Sequence, residues 1–276
     1  MPISVIIPTY NRAEWLEEAV TSVLRQTLPP AEVVIVDDGS TDRTGSVVAR
    51  LVRESSLPIR SLHQDNRGAA AARNTGIRAA RGDVLCFLDS DDRFAPEKIA
   101  CQYAGLQSSA CLISHTRELW FRRGLPLNQK KKHQPPAEEI FRASLAMCVV
   151  GMSTVMARRE IFARYGLFDE SLPCCEDYDF WLRVSSRERF LLVDLPLTLK
   201  NGGRPDQLSV HYRLGMDKYR IRSLVNLLES GALSPDQAEL AIRELERKCA
   251  IYGRGCIKHG RSEEGLFYQH LPARFR

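Results

Sequence analysis

Two acidic clusters carry the most chemical information in this 276-residue chain. Asp37 and Asp38 close one short apolar run at residues 33–36. Asp89, Ser90, Asp91 and Asp92 close another at residues 84–88. If both runs are strands of one parallel sheet, their carboxylates share the edge beyond the strands' carboxyl ends, where ligands bind in such sheets. Carboxylates gathered there repel one another unless a positive group sits among them. Hard oxygens with no His or Cys close by suit Mg²⁺ or Mn²⁺ rather than zinc. Asp42 and Asp92 read as caps of turns and helices, a reading that explains Asp91 least well.

On the same edge, Pro8, Thr9, Tyr10, Asn11 and Arg12 follow the first apolar run with a ring, small polar groups and a guanidinium. A base could stack on Tyr10, and Asp38 could accept a hydrogen bond from a base N–H. No G-x-x-x-x-G-K-[ST] loop and no G-x-G-x-x-G after the first strand is present, which argues against ATPase and dinucleotide redox chemistry.

Strands and helices alternate through the first half. Strands are expected at 4–7, 33–36, 59–63 and 84–88, with helices at 13–26, from about 42 to 54, and at 68–81. Strands this apolar imply a parallel sheet covered by helices on both faces. Beyond Pro96 the pattern is less regular: a helix to about 105, short strands near 111–115 and 119–121, an exposed loop at 122–136 and a strand at 153–157. Short helices follow at 159–165 and 177–187. From Met216 the chain reads as helical, with a stop at Gly231 and a second helix opened by Ser234, Pro235 and Asp236 that runs to about 252.

Composition is ordinary for a globular chain. The 39 Lys and Arg against 34 Asp and Glu give +5. Residues 116–134, with six basic residues and one acidic, carry that same +5, so a nucleic-acid partner is not expected. No apolar run approaches the roughly 18 residues that a membrane span needs. The first residues lack a basic, long-apolar leader, so a cytoplasmic protein is expected. Eight cysteines without a C-x-x-C pair read as reduced, buried thiols. Only the adjacent Cys174 and Cys175 leave redox sensitivity open.

Six segments together resemble glycosyltransferase family 2: SVIIPTYNR (4–12), VVIVDDGSTD (33–42), NRGAAAARNTGIRAARGD (66–83), VLCFLDSDD (84–92), GLFDESL (166–172) and EDYDFWLR (176–183). The resemblance is dense over 1–115 and thinner over 150–210. It implies an α/β GT-A fold, Rossmann-like, with a mostly parallel central sheet and helices on both faces. A catalytic domain would span 1–213 (nucleotide half 1–115, acceptor half 116–213), with a C-terminal helical extension at 214–276. The implied activity is sugar transfer with inversion from a nucleotide-diphosphate sugar, commonly UDP-linked, to an acceptor hydroxyl in surface polysaccharide or glycan synthesis. The acceptor could be a glycan, a lipid-linked sugar or a protein.

By the same resemblance Pro8, Thr9 and Tyr10 match the first nucleotide-contacting loop, with Asn11 and Arg12 beside it. Asp38 matches the acid that reads the base. Asn66, Gly68 and Arg73 approach the nucleotide sugar, as does Ser90 within the D-x-D signature. Asp89 and Asp91 are that signature's acids, with Asp91 the better candidate for holding Mn²⁺ or Mg²⁺. Asp177 matches the catalytic base, although an acid at a helix N-terminus is also favoured by the macrodipole. Glu176, Ser153 and Trp181 are expected on the acceptor side, Trp181 either in the core or as a floor under an acceptor sugar. Asp179 reads as a local partner.

One departure stands out. Many members carry a His about five residues before a Ser in a loop after the base; here Arg204 occupies that place, ahead of Ser209. A guanidinium cannot ligate a cation but can pair with a diphosphate oxygen. His211 is a weak substitute. Lys130, Lys131 and Lys132 read as a solvated loop, or as a contact for an anionic acceptor or for an acidic membrane at the inner face. The helical tail either packs on the catalytic domain or makes a homodimer. The rivals are a sugar-phosphate nucleotidyltransferase, whose G-x-G-T-R-x-x-P loop is absent, and a non-catalytic nucleotide- or glycan-binding module on the same fold.

Overall fold

The computed structural model describes residues 1–137, 140–204 and 206–276, apart from the side chain of Lys132. The chain opens as β1 (Ile3–Thr9), α1 (Ala13–Leu24), β2 (Glu32–Asp37), α2 (Thr44–Glu54), β3 (Ile59–His63), α3 (Gly68–Ala79) and β4 (Val84–Phe87). These four strands are parallel and lie in the order β3-β2-β1-β4.

Every residue of β1 and β2 is buried, and strand alternation divides their side chains between two layers. Val5, Ile7, Val33 and Ile35 pack with Leu16 and Val20 of α1 and Val48 of α2. Ile6, Val34 and Val36 pack with Ala72 and Ile77 of α3. Helices therefore cover both faces, as expected. Because β2 and β4 flank β1 on opposite sides, the chain reverses direction across the sheet there, and a crevice opens beyond the ends of β1 and β4.

The second half adds β5 (Arg93–Phe94), α4 (Lys98–Gln107), β6 (Ile113–Arg122), β7 (Leu125–Leu127), α5 (Ile140–Ala146), β8 (Met156–Arg158), α6 (Glu160–Tyr165), α7 (Glu176–Ser185) and β9 (Phe190–Gly202). The sheet continues from β4 through β8, β6 and β9 to β5, with β7 on β6. β6 and β9 run parallel, whereas β8, β5 and β7 pair antiparallel with their neighbours.

Several expectations change here. The two short strands expected at 111–121 form one strand, because thirteen-residue β9 offers it a continuous partner across Thr116 and Arg117. Pro196 and Asp194 hide β9 in the sequence; Pro196 sits where the register shifts opposite Arg117, the irregular position a strand proline needs. Residues 122–136 are not all loop, since they include β7 and a 3₁₀ turn at Lys131–His133. The strand expected at 153–157 begins later, after a buried 3₁₀ turn at Met152–Thr154.

The C-terminal part comprises α8 (Leu208–His211), α9 (Met216–Glu229), α10 (Pro235–Lys258), α11 (Ser262–His270) and a 3₁₀ turn at Leu271–Phe275. Ser234 and Gln237 cap α10 reciprocally, and the helix runs past residue 252. Ile221, Leu224, Leu227, Ala241 and Leu245 share a core with Phe141 and Leu145 of α5 and Tyr178 and Leu182 of α7. The tail thus packs onto the helix that carries Asp177. Among the described residues no helix is long and apolar enough to cross a membrane.

Candidate functional site

Thr9 and Asp37 pair at the ends of β1 and β2. Asn11 adopts a left-handed backbone, φ 50°, which Asn tolerates better than most residues. Its side-chain oxygen accepts from the backbone N–H of Thr41 (2.8 Å) and Asp42 (3.2 Å), and its own N–H donates to Ser40 Oγ (2.9 Å). Asn11 therefore laces the two loops together.

Asp38 is 3% exposed. Its carboxylate accepts from the N–H groups of Arg67 (3.0 Å) and Gly68 (2.8 Å), where α3 starts, and from the Gln64 amide (2.7 Å). An acid at a helix N-terminus is favoured there. The Asn66 side chain donates to the Asp38 carbonyl oxygen (3.0 Å). Pro8 is buried, and the Tyr10 ring, 44% exposed, lies open on this edge.

Past β4, the Asp89 N–H donates to Ser153 Oγ (3.0 Å), and the Ser153 hydroxyl donates to Asp92 (2.7 Å). Asp92 also accepts from the Asn201 N–H (3.1 Å). Burial raises its carboxyl well above the usual range, against the pull of Lys200. Asp92 is a strut between distant segments rather than the local cap expected of it. Ser153, also buried, braces the D-x-D turn, which corrects its expected place on the acceptor side.

Asp89 accepts from Arg73 (2.8 Å), whose other arm bonds Glu176. Burial works against the Arg73 charge, but Asp89 and Glu176 outweigh it and hold its pKa above the ordinary value. Burial likewise pushes the Asp89 carboxyl up, yet Arg73 and Lys200 bring it below the usual range. Arg73 thus ties α3 to both the D-x-D turn and α7. Ser90 is buried between the two acids.

Asp91 forms an ion pair with Arg204, their side chains 17% and 14% exposed. The Arg204 guanidinium lies 5.0 Å over the Trp15 ring and reaches Asp206 (3.2 Å), which pairs with Arg12 (2.7 Å). Pro205 lies outside the described residues. Among those residues no third His, Cys, Asp or Glu joins Asp89 and Asp91 in a metal cage. Two hard carboxylates still fit Mn²⁺ or Mg²⁺, which complete their shells with water and phosphate oxygens, once Arg204 leaves Asp91.

Cys175 turns the chain into α7 in a left-handed conformation, φ 66°, and Glu176 and Asp177 follow in the first turn. Asp177 is half-buried and forms no ion pair among the described residues. Its oxygens accept from the Tyr178 N–H (2.6 Å) and the Cys148 thiol (3.4 Å). Glu176 is buried against Arg73, and burial raises its pKa. It is a tie between helices rather than an acceptor contact. Of its two expected places Trp181 takes the core and not the acceptor side: it is 0% exposed, donates from Nε1 to the Val150 carbonyl (3.0 Å) and packs on Phe180 and Phe190. No sugar can reach that ring. Asp179 pairs locally with Arg183 (3.0 Å), as expected.

Lys200 is the residue that sequence reasoning missed. Its ammonium lies 3.6 Å from Glu118 and makes no hydrogen bond among the described residues. Glu118 raises its pKa most; burial opposes this, and Asp92, Asp89 and Asp177 add to it. Lys200 therefore lies within electrostatic reach of Asp89, Asp92 and Asp177, with N–H donors to spare. No motif marks it, because its position follows from β9 running alongside β6, with Lys200 opposite Trp120. Lys130 and Lys131 are exposed, in keeping with a solvated loop; the side chain of Lys132 lies outside the described residues. All eight cysteines are free, and the Cys174 and Cys175 sulfurs are 3.9 Å apart.

The sequence profile of glycosyl transferase family 2 matches residues 4–166. An uncharacterised glycosyltransferase of Rickettsia felis is 35% identical over 202 residues, 71% of this chain and 32% of that protein, so the match spans about a third of the relative's length. Among solved structures, S. aureus TarS 1–349 in complex with UDP-GlcNAc superimposes with a TM-score of 0.76 at 19% identity, over 99% of this chain and 79% of that one. The mannosyltransferase PcManGT from Pyrobaculum calidifontis, in complex with GDP-Man and Mn²⁺, gives 0.68 at 18% identity, over 99% and 75%. At such identities the two structures establish the shared fold.

Proposed function

The chain belongs to glycosyltransferase family 2, and from that premise we propose that it moves a sugar from a nucleotide-diphosphate donor, UDP-linked in the first instance, onto an acceptor hydroxyl with inversion. The observation that carries this reading is the contrast among the acids at the crevice. Asp89, Asp91 and Glu176 face guanidinium groups, and Asp92 is buried against Ser153. Asp177 is half-buried, and the Cys148 thiol is its side-chain partner.

Tyr10 offers its ring to the base, and Asp38 keeps one lone pair for a base N–H while Gln64, Arg67 and Gly68 hold it in place. Pro8 and Thr9 shape the loop beneath the nucleotide, and Asn11 fixes that loop to Ser40 and Thr41. Arg73 holds Asp89 in position, and Lys200 and Arg204 meet diphosphate oxygens as point charge and fork. Asp177 takes the proton from the acceptor hydroxyl as that oxygen attacks the anomeric carbon; one displacement inverts the centre. A divalent ion at Asp91, with Asp89 beside it, would supply positive charge to the departing diphosphate. Residues 1–213 carry this chemistry in our reading, and residues 214–276 support α7 from behind. The acceptor belongs to surface polysaccharide or glycan synthesis in this reading, and the free cysteines suit a reducing compartment.

A non-catalytic module on the same fold is the second reading, favoured only by the Arg204–Asp91 pair that covers the metal position. Calorimetric titration with UDP, GDP, dTDP and CDP, each with and without Mn²⁺, separates the two. Metal-enhanced binding of one diphosphate supports the transferase and names its base; no binding of any removes it. Asp177→Asn then keeps diphosphate affinity while lowering transfer by roughly 10²- to 10⁴-fold, the usual weight of a general base. Normal turnover in that variant would remove Asp177 from the mechanism.

A further inference from the structure

Arg204 holds the carboxylate that a divalent ion needs. Its guanidinium has three anchors: the Asp91 carboxylate, the face of Trp15 and the Asp206 carboxylate. The third is tied back to Arg12. The backbone beneath it is also held, since the Gln207 side-chain oxygen accepts from the N–H groups of Gly203 (2.8 Å) and Arg204 (3.3 Å). One guanidinium nitrogen, Nη1, is buried without a partner. The group is therefore fixed at Asp91 but not fully satisfied there.

The geometry points to a tethered cation: Arg204 competes with the divalent ion for Asp91, so metal binds weakly alone and tightly only together with a nucleoside diphosphate. This rests on the assignment of Asp91 to the donor site given above. A guanidinium cannot yield by losing its proton, as an imidazole could, and has no lone pair with which to ligate. Metal and guanidinium are both positive, so each weakens the other's hold on the same partly buried carboxylate. A diphosphate changes the balance by offering Arg204 a second anionic partner. Trp15 and Asp206 keep the side chain close, so it can leave Asp91 without the segment before α8 coming loose. By linkage, the factor by which nucleotide tightens metal equals the factor by which metal tightens nucleotide.

The test counts free Mn²⁺ by electron paramagnetic resonance on the full chain, first with Mn²⁺ alone and then with saturating UDP or GDP, each against a protein-free solution of the same nucleotide, which itself binds Mn²⁺. Arg204→Gln is expected to bind Mn²⁺ alone about tenfold more tightly than the unaltered protein, within the usual range of such couplings. The further gain from nucleotide shrinks correspondingly. Arg204→Lys keeps the charge and is expected to leave Mn²⁺ binding weak, which separates charge competition from disturbance of the loop. Asp91→Asn removes the bound Mn²⁺ and so locates it. Equal Mn²⁺ affinity in the unaltered protein and Arg204→Gln, with binding still lost in Asp91→Asn, overturns the competition while leaving the metal site standing. A gain for Lys as large as for Gln also overturns it. No Mn²⁺ bound by any protein beyond what the nucleotide alone takes up overturns the donor-site assignment itself.

Discussion

Lys200 and His115 show how much a single buried or half-buried side chain can decide. Lys200 keeps unspent N–H donors within electrostatic reach of Asp89, Asp92 and Asp177. If they serve the diphosphate, Lys200→Met should weaken UDP or GDP binding about tenfold or more, the value of one hydrogen bond to a charged group. The matching monophosphate should be nearly unaffected, and equal losses for both would place Lys200 elsewhere. His115, fully buried on β6 with neither ring nitrogen hydrogen-bonded, has its pKa pushed down to about 4, mainly by burial and then by Arg117. Its unfolded value is near 6.5, so between pH 6.5 and 4 the unfolded chain binds the extra proton and stability falls as the solution is acidified. Unfolding free energies from urea titrations at pH 7 and 5 should therefore differ by about 2 kcal/mol less in His115→Leu than in the unaltered protein. Parallel pH profiles for the two proteins would show that His115 titrates normally.

The elements of the site are held by contacts that tolerate little change. α3 lies so close to β1 that a Cβ on Gly76 would strike Ile6 Cγ2, with Val36 Cγ2 next at 3.4 Å. That approach brings Arg73, one turn earlier, to Asp89 and Glu176. Gly76→Ala should cost about 1–3 kcal/mol in urea unfolding, because it overpacks a finished layer. A stability unchanged within error would mean that α3 can slide on the sheet, and the Arg73 bridge would then be less firmly set than its two ion pairs imply. β9 is the other decisive element. Its pairing with β6 absorbs Pro196 at a register shift and carries Lys200 and Asn201 to the D-x-D turn.

Across the whole molecule, the buried apolar side chains form three clusters. Two lie on the faces of the sheet, and the third joins the C-terminal helices to α5 and α7. Asp177 rides on α7, between the second layer and that third core, so the tail is part of what positions it. Leu245→Ala, at a fully buried position in α10, should cost about 2–5 kcal/mol. Hydrogen exchange should then speed up in α7 together with α9 and α10. If α7 kept its protection while the tail lost its own, the tail would be an independent unit and its role in placing Asp177 would fall. Neither helix pair nor sheet alone assembles the crevice: its acids come from the turn after β4 and from α7, and its cations from α3, β9 and the segment before α8.

The parallel half of the sheet was legible from residues alone. Runs such as 33–36 are too apolar to face water, and the turns that follow them place Asp38 and Asp91 on one edge by topology. The family segments added Asp177 at the start of its helix. The sequence could not tell which carboxylates would be free. Asp89, Asp91 and Glu176 meet Arg73 and Arg204, 16, 113 and 103 residues away from their partners. Pairing over such separations depends on which elements come together, and spacing along the chain carries no record of it. The same reason buried Ser153, which local pattern left available to an acceptor, decided for the core between the two places open to Trp181, and brought Lys200 into the crevice from a strand that Pro196 disguised. Periodicity and turn chemistry act over a few residues and settle elements and edges. The charge balance of the site is a sum over distant groups, and only the packed molecule decides it.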